Sequence, residues 1–392
     1  MVDFHPPHDS PRPAQLTLYR YRLPLRQSFG HAAANRDVNE GLLVRLELAD
    51  GTVGLGEGIP RPYVTGETIE SAAEVVRTTY APLFARENPL AAGPTPGSAF
   101  GVWHNAAWCA CELAYLDALA RAAGLRLADF LGRLLLRPVA PKITVRAAGV
   151  IGAELPAAIH RSLTRMRWYG MRDFKLKVGL PGDRENLRVC YDKLRRGLIR
   201  GRFNLRVDAN AAWSYADALA ACRWMKAFRV SAVEQPLAKG DEADLPRLRR
   251  EGGLPVMIDE SLIDYAGAEK LAALGAADIW NVRISKNGGL LQSLRLADLA
   301  QAHNITLMIG AMVGESGILS AAARTFLQLV PAVRFLENSY GKHLLAEDLV
   351  DERTTFGYGG RVRPLPGPGL GVTLSESALD RLTERLAQIP LG

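Results

Sequence analysis

The sequence has few cysteines and no long apolar run. Its four cysteines, at positions 109, 111, 190 and 222, lack the spacing of a zinc site and fit buried, reduced thiols. No stretch approaches the ~20 consecutive apolar residues that a membrane-spanning helix needs. These scarcities argue against a disulfide-stapled secreted domain and against a membrane partner, and they predict a cytoplasmic protein.

Lysine is also scarce, since only nine of the 48 Lys and Arg residues are lysines. Two of the nine, Lys175 and Lys177, lie in the run FKLKVG at residues 174–179, whose apolar–polar alternation predicts a short strand. Residues two apart on a strand share one face. Arginine stays protonated in proteins, whereas the pKa of lysine shifts readily. The two lysines therefore indicate that this face needs amino groups whose protonation can change.

The formal net charge is +7, and arginines cluster at residues 161–172 and 194–202. Basic patches can bind nucleic acid. These clusters have helical spacing and no RNA-binding signature accompanies them, so we interpret them as solvated helix faces and expect no nucleic-acid partner. A mildly positive surface instead favours small anionic substrates.

From about residue 143, eight short apolar runs alternate with Ala/Leu/Arg-rich segments of helical period. The runs are ITVRAAGVI, FKLKV, NLRVDAN, SAVEQPL, PVMIDES, IWNVRIS, ITLMIGA and VRFLENS. Such alternation predicts parallel strands, either in a (β/α)8-type barrel or in a doubly wound open sheet. Polar residues recur at the C-terminal end of nearly every run, which favours the barrel.

The segment before the barrel has a different pattern. Three strand-like runs around an Asp50-Gly51 turn, followed by helical patterns, indicate an α+β unit. We therefore predict an α/β fold with three parts. Residues 1–140 form an N-terminal α+β capping domain, 141–360 form the (β/α)-barrel catalytic domain, and 361–392 return to complete the capping domain.

Charged residues end five consecutive runs of the predicted barrel. Lys177, Asp208, Glu234, Asp259 and Arg283 follow one another at separations of 31, 26, 25 and 24 residues, each about one βα unit. Consecutive strands would bring all five to the C-terminal rim, where the active sites of this fold lie.

Three converging carboxylates repel one another unless a positive charge sits among them. A hard divalent cation is the simplest source, and Mg²⁺ suits a site with open positions, with Mn²⁺ as the alternative ion. Two neighbouring ammonium groups near such a metal should have lowered pKa values. A lysine of this kind is equipped to remove a carbon-bound proton; the alternative is that both lysines merely pair with the barrel acids.

Together these motifs resemble the enolase superfamily, in its muconate-lactonizing branch (the mandelate racemase/muconate lactonizing enzyme family). The resemblance covers nearly the whole chain, including GLGEGIPRPYVTGET at 54–68 and the motifs KLK, VDAN, VEQP, IDES and NVRISKNGG. A lysine base working with Mg²⁺ is an established property of that superfamily.

The resemblance implies specific roles. The metal ligands would be Asp208, Glu234 and Asp259; the base would be Lys177, with Lys175 as its electrostatic neighbour. A substrate lid would lie near Phe29, His31 and Tyr63, and Asn210 and Glu260 would support the site from behind. The implied ligand is a small carboxylate, and relatives are often homo-oligomers.

The sequence departs from its relatives at two points. Where they usually carry a second lysine on the sixth strand, this chain has Arg283, which we expect to hold a carboxylate or an enolate by charge. Lys286 has the opposite strand parity, and we interpret it as a helix-start residue that supports the site from behind, like Asn210 and Glu260. The eighth strand offers one acid, Glu337, for substrate binding, where dipeptide epimerases carry two, which disfavours a dipeptide substrate.

These features predict a Mg-dependent lyase or isomerase in which Lys177 removes the proton α to a carboxylate. The resulting metal-stabilised enolate would then undergo syn elimination or cycloisomerisation. An epimerase or racemase of an amino-acid or dipeptide-like substrate is the alternative, with Lys286 as second base. A non-catalytic metabolite-binding barrel is the second alternative.

Overall fold

The computed structural model describes residues 6–7, 9–31, 34–86, 89–92, 104–152 and 155–391. They form a four-stranded antiparallel sheet and an eight-stranded parallel sheet. The prediction of a (β/α)8-type barrel with an α+β cap is therefore confirmed. The exact domain boundaries at residues 140 and 360 stay predictions. Within these described ranges, no helix has an apolar stretch long enough to span a bilayer.

The strands of the described residues are, in chain order, β1 (Pro13–His31), β2 (Ala34–Leu48), β3 (Val53–Gly58), β4 (Gly149–Ile151), β5 (Asp173–Lys177), β6 (Asn204–Asp208), β7 (Val233–Glu234), β8 (Val256–Ile258), β9 (Ile279–Val282), β10 (Thr306–Ile309), β11 (Phe335–Leu336) and β12 (Thr383–Pro390). The α-helices are α1 (Ile69–Val75), α2 (Ala81–Phe84), α3 (Asn105–Ala122), α4 (Leu127–Leu134), α5 (Pro156–Trp168), α6 (Asp183–Ile199), α7 (Tyr215–Met225), α8 (Leu245–Gly252), α9 (Tyr265–Leu274), α10 (Leu290–Ala302), α11 (Gly317–Leu329) and α12 (Glu376–Leu382).

The parallel sheet follows the order of the chain, from β4 to β11. A doubly wound sheet reverses its strand order at a switch point, so that alternative is wrong. The first and last strands also meet, because Ala147 forms a parallel bridge with Leu336 and the Ala148 N–H donates to the Leu336 carbonyl at 2.8 Å. The sheet is thus closed into a barrel.

The antiparallel sheet has the order β12-β1-β2-β3, so its outer strand comes from the far end of the chain. Its strands β1 to β3 follow one another as hairpins, and the predicted turn at Asp50-Gly51 joins β2 to β3, where Gly51 takes a φ of 83°. Glycine adopts this left-handed conformation without a steric penalty.

Two buried carboxylates of the cap attach it to the barrel. Glu57 in β3 accepts the Ser316 and Leu319 N–H groups at the start of α11, at 2.9 and 3.0 Å. Glu112 in α3 accepts the Leu290 and Leu291 N–H groups at the start of α10, at 2.6 and 3.0 Å. The first N–H groups of a helix have no partner within it, and they carry partial positive charge that favours an anion.

Strand β3 packs very closely against α3. A Cβ atom at Gly56 would lie 1.8 Å from the Ala110 carbonyl oxygen, and one at Gly54 would lie 2.0 Å from that of Ala114. These glycines share one face of the strand, and the alanines recur every four residues along the facing helix. The pairing of glycine with alanine permits backbone-to-backbone contact between sheet and helix.

We expect Gly56→Ala to lower the free energy of unfolding by about 1–3 kcal/mol, because the added methyl group forces α3 away from β3. Gly267→Ala in α9 is the matched control, since a Cβ there meets nothing closer than 3.5 Å. Urea unfolding monitored by circular dichroism measures both variants. Equal midpoints for Gly56→Ala and the wild type would contradict the close packing.

Candidate active site

The C-terminal ends of β5 to β9 bring the predicted charged residues together. Lys177 is the register partner of Asp208, and Asp208 is the partner of Glu234. The side chains of Asp208, Glu234 and Asp259 are almost wholly inaccessible to solvent. Burying carboxylates costs free energy unless cations and hydrogen bonds compensate, so their partners define the site.

Lys177 is held by two side chains at the C-terminal end of the neighbouring strand, β6. Its Nζ lies 2.8 Å from Asp208 Oδ2 and 2.6 Å from Asn210 Oδ1. Asn210 in turn donates to Glu260 Oε1 at 3.1 Å, so both predicted supporting residues act on this lysine. The Lys177 side chain is 15% exposed, against 4% for Lys175, which makes Lys177 the lysine that faces outward.

Lys175 lies deeper and contacts three carboxylates. Its Nζ is 2.5 Å from Glu337 Oε2 and 3.1 Å from both Asp208 Oδ2 and Glu234 Oε2. Burial opposes its charge, but these carboxylates outweigh burial and raise the pKa of Lys175 above its usual value. These contacts oppose the predicted lowering of the Lys175 pKa, which assumed a metal beside the lysine.

The pKa values of the two carboxylates Asp208 and Glu234, which contact Lys175, are also shifted. Burial raises the pKa of Asp208, but the ammonium groups of Lys177 and Lys175 hold it well below its usual range. Burial and repulsion by Asp208 raise the pKa of Glu234. The two lysines share one oxygen of Asp208, which brings their charges close together.

Asp259 is held from the sixth strand and the turn after it. Lys286 Nζ lies 2.9 Å from Asp259 Oδ1 and donates to the carbonyl oxygens of Asp259 and Asn281 at 2.6 and 3.0 Å. Arg283 Nη2 contacts the other oxygen, Asp259 Oδ2. Burial and the nearby Arg283 charge lower the pKa of Lys286.

The interpretation of Lys286 as a helix-start residue is wrong. Helix α10 begins at Leu290, and its N-cap is Gly289. Strand parity does not apply to Lys286, because β9 ends at Val282 and the turn that follows folds back over the barrel. The lysine therefore reaches Asp259 although it has the opposite parity to Arg283.

Glu337 also differs from expectation. We expected it in the substrate site, but both of its oxygens face cations inside the barrel. One contacts Lys175, and the other lies 2.9 Å from Arg206 Nη2. The residue is 6% exposed. Burial opposes its charge, but Lys175 and Arg206 lower the pKa of Glu337.

The predicted lid is described in part. Tyr63 is exposed in the turn after β3, and this turn is held to the barrel, since Lys239 Nζ donates to the Val64 carbonyl at 3.2 Å. The cap also contacts the turn after the sixth strand, where the Ile59 N–H donates to Ser285 Oγ at 2.8 Å. The side chains of Phe29 and His31 lie outside the described residues.

Sequence reasoning missed three residues of the site. Asn281 donates to Glu234 Oε1 at 2.8 Å, and Gln235 Oε1 accepts the Asp259 N–H at 3.0 Å. Arg206 pairs with Glu337. Arg206 stands two residues before the acid that ends its strand, and Asn281 two residues before Arg283, so strand parity was a usable signal for both.

The carboxylates suit a hard divalent cation in their chemistry. Asp208, Glu234 and Asp259 offer buried oxygen donors on adjacent strands, which are the ligands that Mg²⁺ prefers. In the part of the chain that the structure describes, no three acidic, histidine or cysteine side chains are arranged as a ready metal site. Ammonium and guanidinium groups instead contact all three carboxylates.

We expect Lys286→Met to lower the free energy of unfolding by about 3 kcal/mol, because it leaves Asp259 Oδ1 and two buried carbonyl groups without their donor. Lys270→Met is the control, since Lys270 is exposed in α9 and should change stability by less than about 0.5 kcal/mol. Urea unfolding in metal-free buffer measures both. Equal effects of the two substitutions would contradict the buried contacts of Lys286.

Comparisons with known proteins agree with this fold. Residues 158–378, more than half of the chain, match the family model described as "Enolase C-terminal domain-like". Residues 13–109 match the model described as "MenC, N-terminal domain". The two matches fall on the barrel and on the cap.

Similar proteins are known from several bacteria. The chain is 32% identical to muconate cycloisomerase 1-2 of Acinetobacter lwoffii, over 87% of each chain. It is 27% identical to N-succinyl-L-Arg/Lys racemase of Bacillus cereus, over 93% of this chain and 96% of the relative. The solved muconate lactonizing enzyme from Pseudomonas fluorescens, complexed with muconolactone, superposes with a TM-score of 0.83 at 28% identity, over 96% of this chain and all of that one. The chain therefore belongs to the mandelate racemase/muconate lactonizing branch of the enolase superfamily.

Proposed function

We propose that this enzyme is a Mg²⁺-dependent isomerase or lyase in which Lys177 removes the proton α to a substrate carboxylate. The observation that carries the proposal is the placement of Lys177. It is the outward-facing lysine of the pair, and Asp208 and Asn210 orient its amine beside the buried acids. A general base must lie within hydrogen-bond reach of the proton that it removes, and a fixed, partly exposed amine meets that need.

Asp208, Glu234 and Asp259 would hold the metal. Magnesium bound there supplies positive charge that favours the negative charge developing on a substrate carboxylate when its α-proton leaves. Lys175 contributes in another way. Its three carboxylate contacts keep it charged, and its charge disfavours a second positive charge close by. A general base beside it must be uncharged to accept a proton, so this repulsion favours the active form of such a base.

Arg283 supports substrate binding rather than proton transfer. Its guanidinium lies at the end of the sixth strand next to Asp259 and is partly exposed. Arginine remains protonated, so it serves poorly as a base, but its planar fork binds carboxylates well. The ammonium group of Lys286 donates hydrogen bonds to Asp259 and to the Asn281 carbonyl, so it is held away from a role as base. Proton transfer from one face of the substrate favours syn elimination or cycloisomerisation.

Racemisation of an N-acylamino acid is the second candidate, and the likeness to the Bacillus cereus racemase supports it. That reaction needs a second group on the opposite face of the α-carbon. Arg283 and Lys286 are the basic residues on that side, and the contacts of both favour the one-base proposal. A barrel that only binds its ligand would not require the ordered lysine pair.

We expect Lys177→Ala to slow exchange of the substrate α-hydrogen by about 10²–10⁴-fold, because the general base is lost. Exchange is followed by proton NMR in D₂O on muconolactone, N-succinyl-L-arginine and an aromatic dipeptide. Calorimetric titration with Mg²⁺ provides the control: Lys177→Ala should still bind the ion, whereas Asp208→Asn combined with Glu234→Gln and Asp259→Asn should not. Exchange at the wild-type rate by Lys177→Ala would remove Lys177 from the role of base.

We expect the unmodified enzyme to exchange deuterium with retention of configuration, or to eliminate, because only one face of the α-carbon meets a base. Arg283→Lys should permit some epimerisation by restoring a titratable group. Arg283→Met should raise KM without changing the stereochemical course. Chiral chromatography of the recovered substrate measures all three. Rapid racemisation by the unmodified enzyme would show that a second base operates and would favour the racemase candidate.

A further inference from the structure

We infer that Arg206 and Glu337 form a positioning pair that fixes the ammonium group of Lys175 between Asp208 and Glu234. This inference rests on the proposed function of the site. The pair spans the barrel interior from the third strand to the end of the eighth. Neither residue contacts the substrate in this proposal, so both act through Lys175.

Arg206 is placed by strand geometry and packing. It stands two residues before Asp208 on β6, so both side chains point into the barrel. It is fully buried, its Nη1 lies 3.0 Å from Met308 Sδ, and its guanidinium lies 4.5 Å from the centre of the Phe335 ring. A charged group in such apolar surroundings needs an anionic partner.

Glu337 is that partner. Its Oε1 lies 2.9 Å from Arg206 Nη2, an ion pair without an aligned hydrogen bond, since neither atom has a hydrogen-bond partner among the described residues. The other oxygen lies 2.5 Å from Lys175 Nζ, the shortest of the three carboxylate contacts of that lysine. Arg206 thus holds one end of Glu337, and Glu337 holds Lys175.

The consequence for the metal site is electrostatic. The ammonium group of Lys175 forms ion pairs with three carboxylates, those of Glu337, Asp208 and Glu234. If Glu337 loses its charge, the ammonium is left with Asp208 and Glu234 alone, where it competes with a divalent cation. If Arg206 loses its charge, the negative charge of Glu337 is no longer compensated, so the electrostatic potential at the metal site becomes more negative. The Glu337 side chain is then also no longer held in place. The two substitutions therefore change the cluster charge in opposite directions.

The test separates charge from position by a double-mutant cycle. Glu337→Gln should weaken Mg²⁺ binding on the order of tenfold, and Arg206→Met should strengthen it by a similar factor. The double variant restores the net charge, so its Mg²⁺ affinity should return to within about threefold of wild type. Its kcat should nevertheless stay at least about tenfold low with KM little changed, because Lys175 is no longer fixed.

A spectroscopic measurement follows Lys175 directly. With only nine lysines in the chain, ¹⁵N-lysine labelling should resolve a slowly exchanging ammonium signal for Lys175, assigned by its loss in Lys175→Arg. We expect the double variant to broaden or remove this signal. Arg334→Met is the matched control, since Arg334 also stacks on Phe335, at 5.0 Å, but is exposed. It should leave the signal, the Mg²⁺ affinity and kcat unchanged.

Arg206→Lys keeps the positive charge. If Arg206→Met does not fold, the same measurements can be made on Arg206→Lys. It should retain Mg²⁺ affinity and recover part of kcat. Recovery of wild-type kcat by the double variant, or an unchanged Lys175 signal in it, would overturn the positioning role. Failure of the proposed function appears elsewhere, as absent Mg²⁺ binding in the wild type or normal exchange by Lys177→Ala. The lysine signal is measured without metal or substrate and is independent of both.

Discussion

Pairing of buried charge is the constraint on which the rest of this structure depends. The carboxylates of Asp208, Glu234, Asp259 and Glu337 are buried in the barrel, and each contacts a lysine or an arginine. An unpaired charge in such a position costs several kcal/mol, so replacing one member alone lowers the free energy of unfolding. Strand order supplies the pairing, because parallel neighbours deliver acids and bases to one end of the barrel.

Buried carboxylates also attach the cap to the barrel. The buried acids Glu57 and Glu112 of the cap accept the first N–H groups of two barrel helices, and burial raises the pKa of Glu112 to about 7. The close packing of β3 on α3 fixes the position of Glu57, which directly follows Gly56. The turn containing Tyr63 continues from this strand, so the geometry of the rim follows from contacts far from the chemistry.

Much of the arrangement was predictable from the sequence because two periodicities carry it. The period of about 25 residues located the strand ends, and the period of two located the face that Lys175 and Lys177 share. Lys286 escaped prediction because strand parity ends with β9 at Val282. The pKa of Lys175 and the partners of Glu337 escaped it because they depend on contacts between β5, β6 and the end of β11, which no local pattern encodes.

The pairing of β12 with β1 has a consequence for biosynthesis. Strand β1 hydrogen-bonds to residues that are synthesised after the whole barrel, since Gln15 pairs with Pro390 and Tyr21 with Thr383. The sheet of the cap therefore stays open along one edge until translation of the entire barrel is complete. An unpaired edge strand is a template for association with other chains. Strand β1 presents such an edge until β12 has been synthesised.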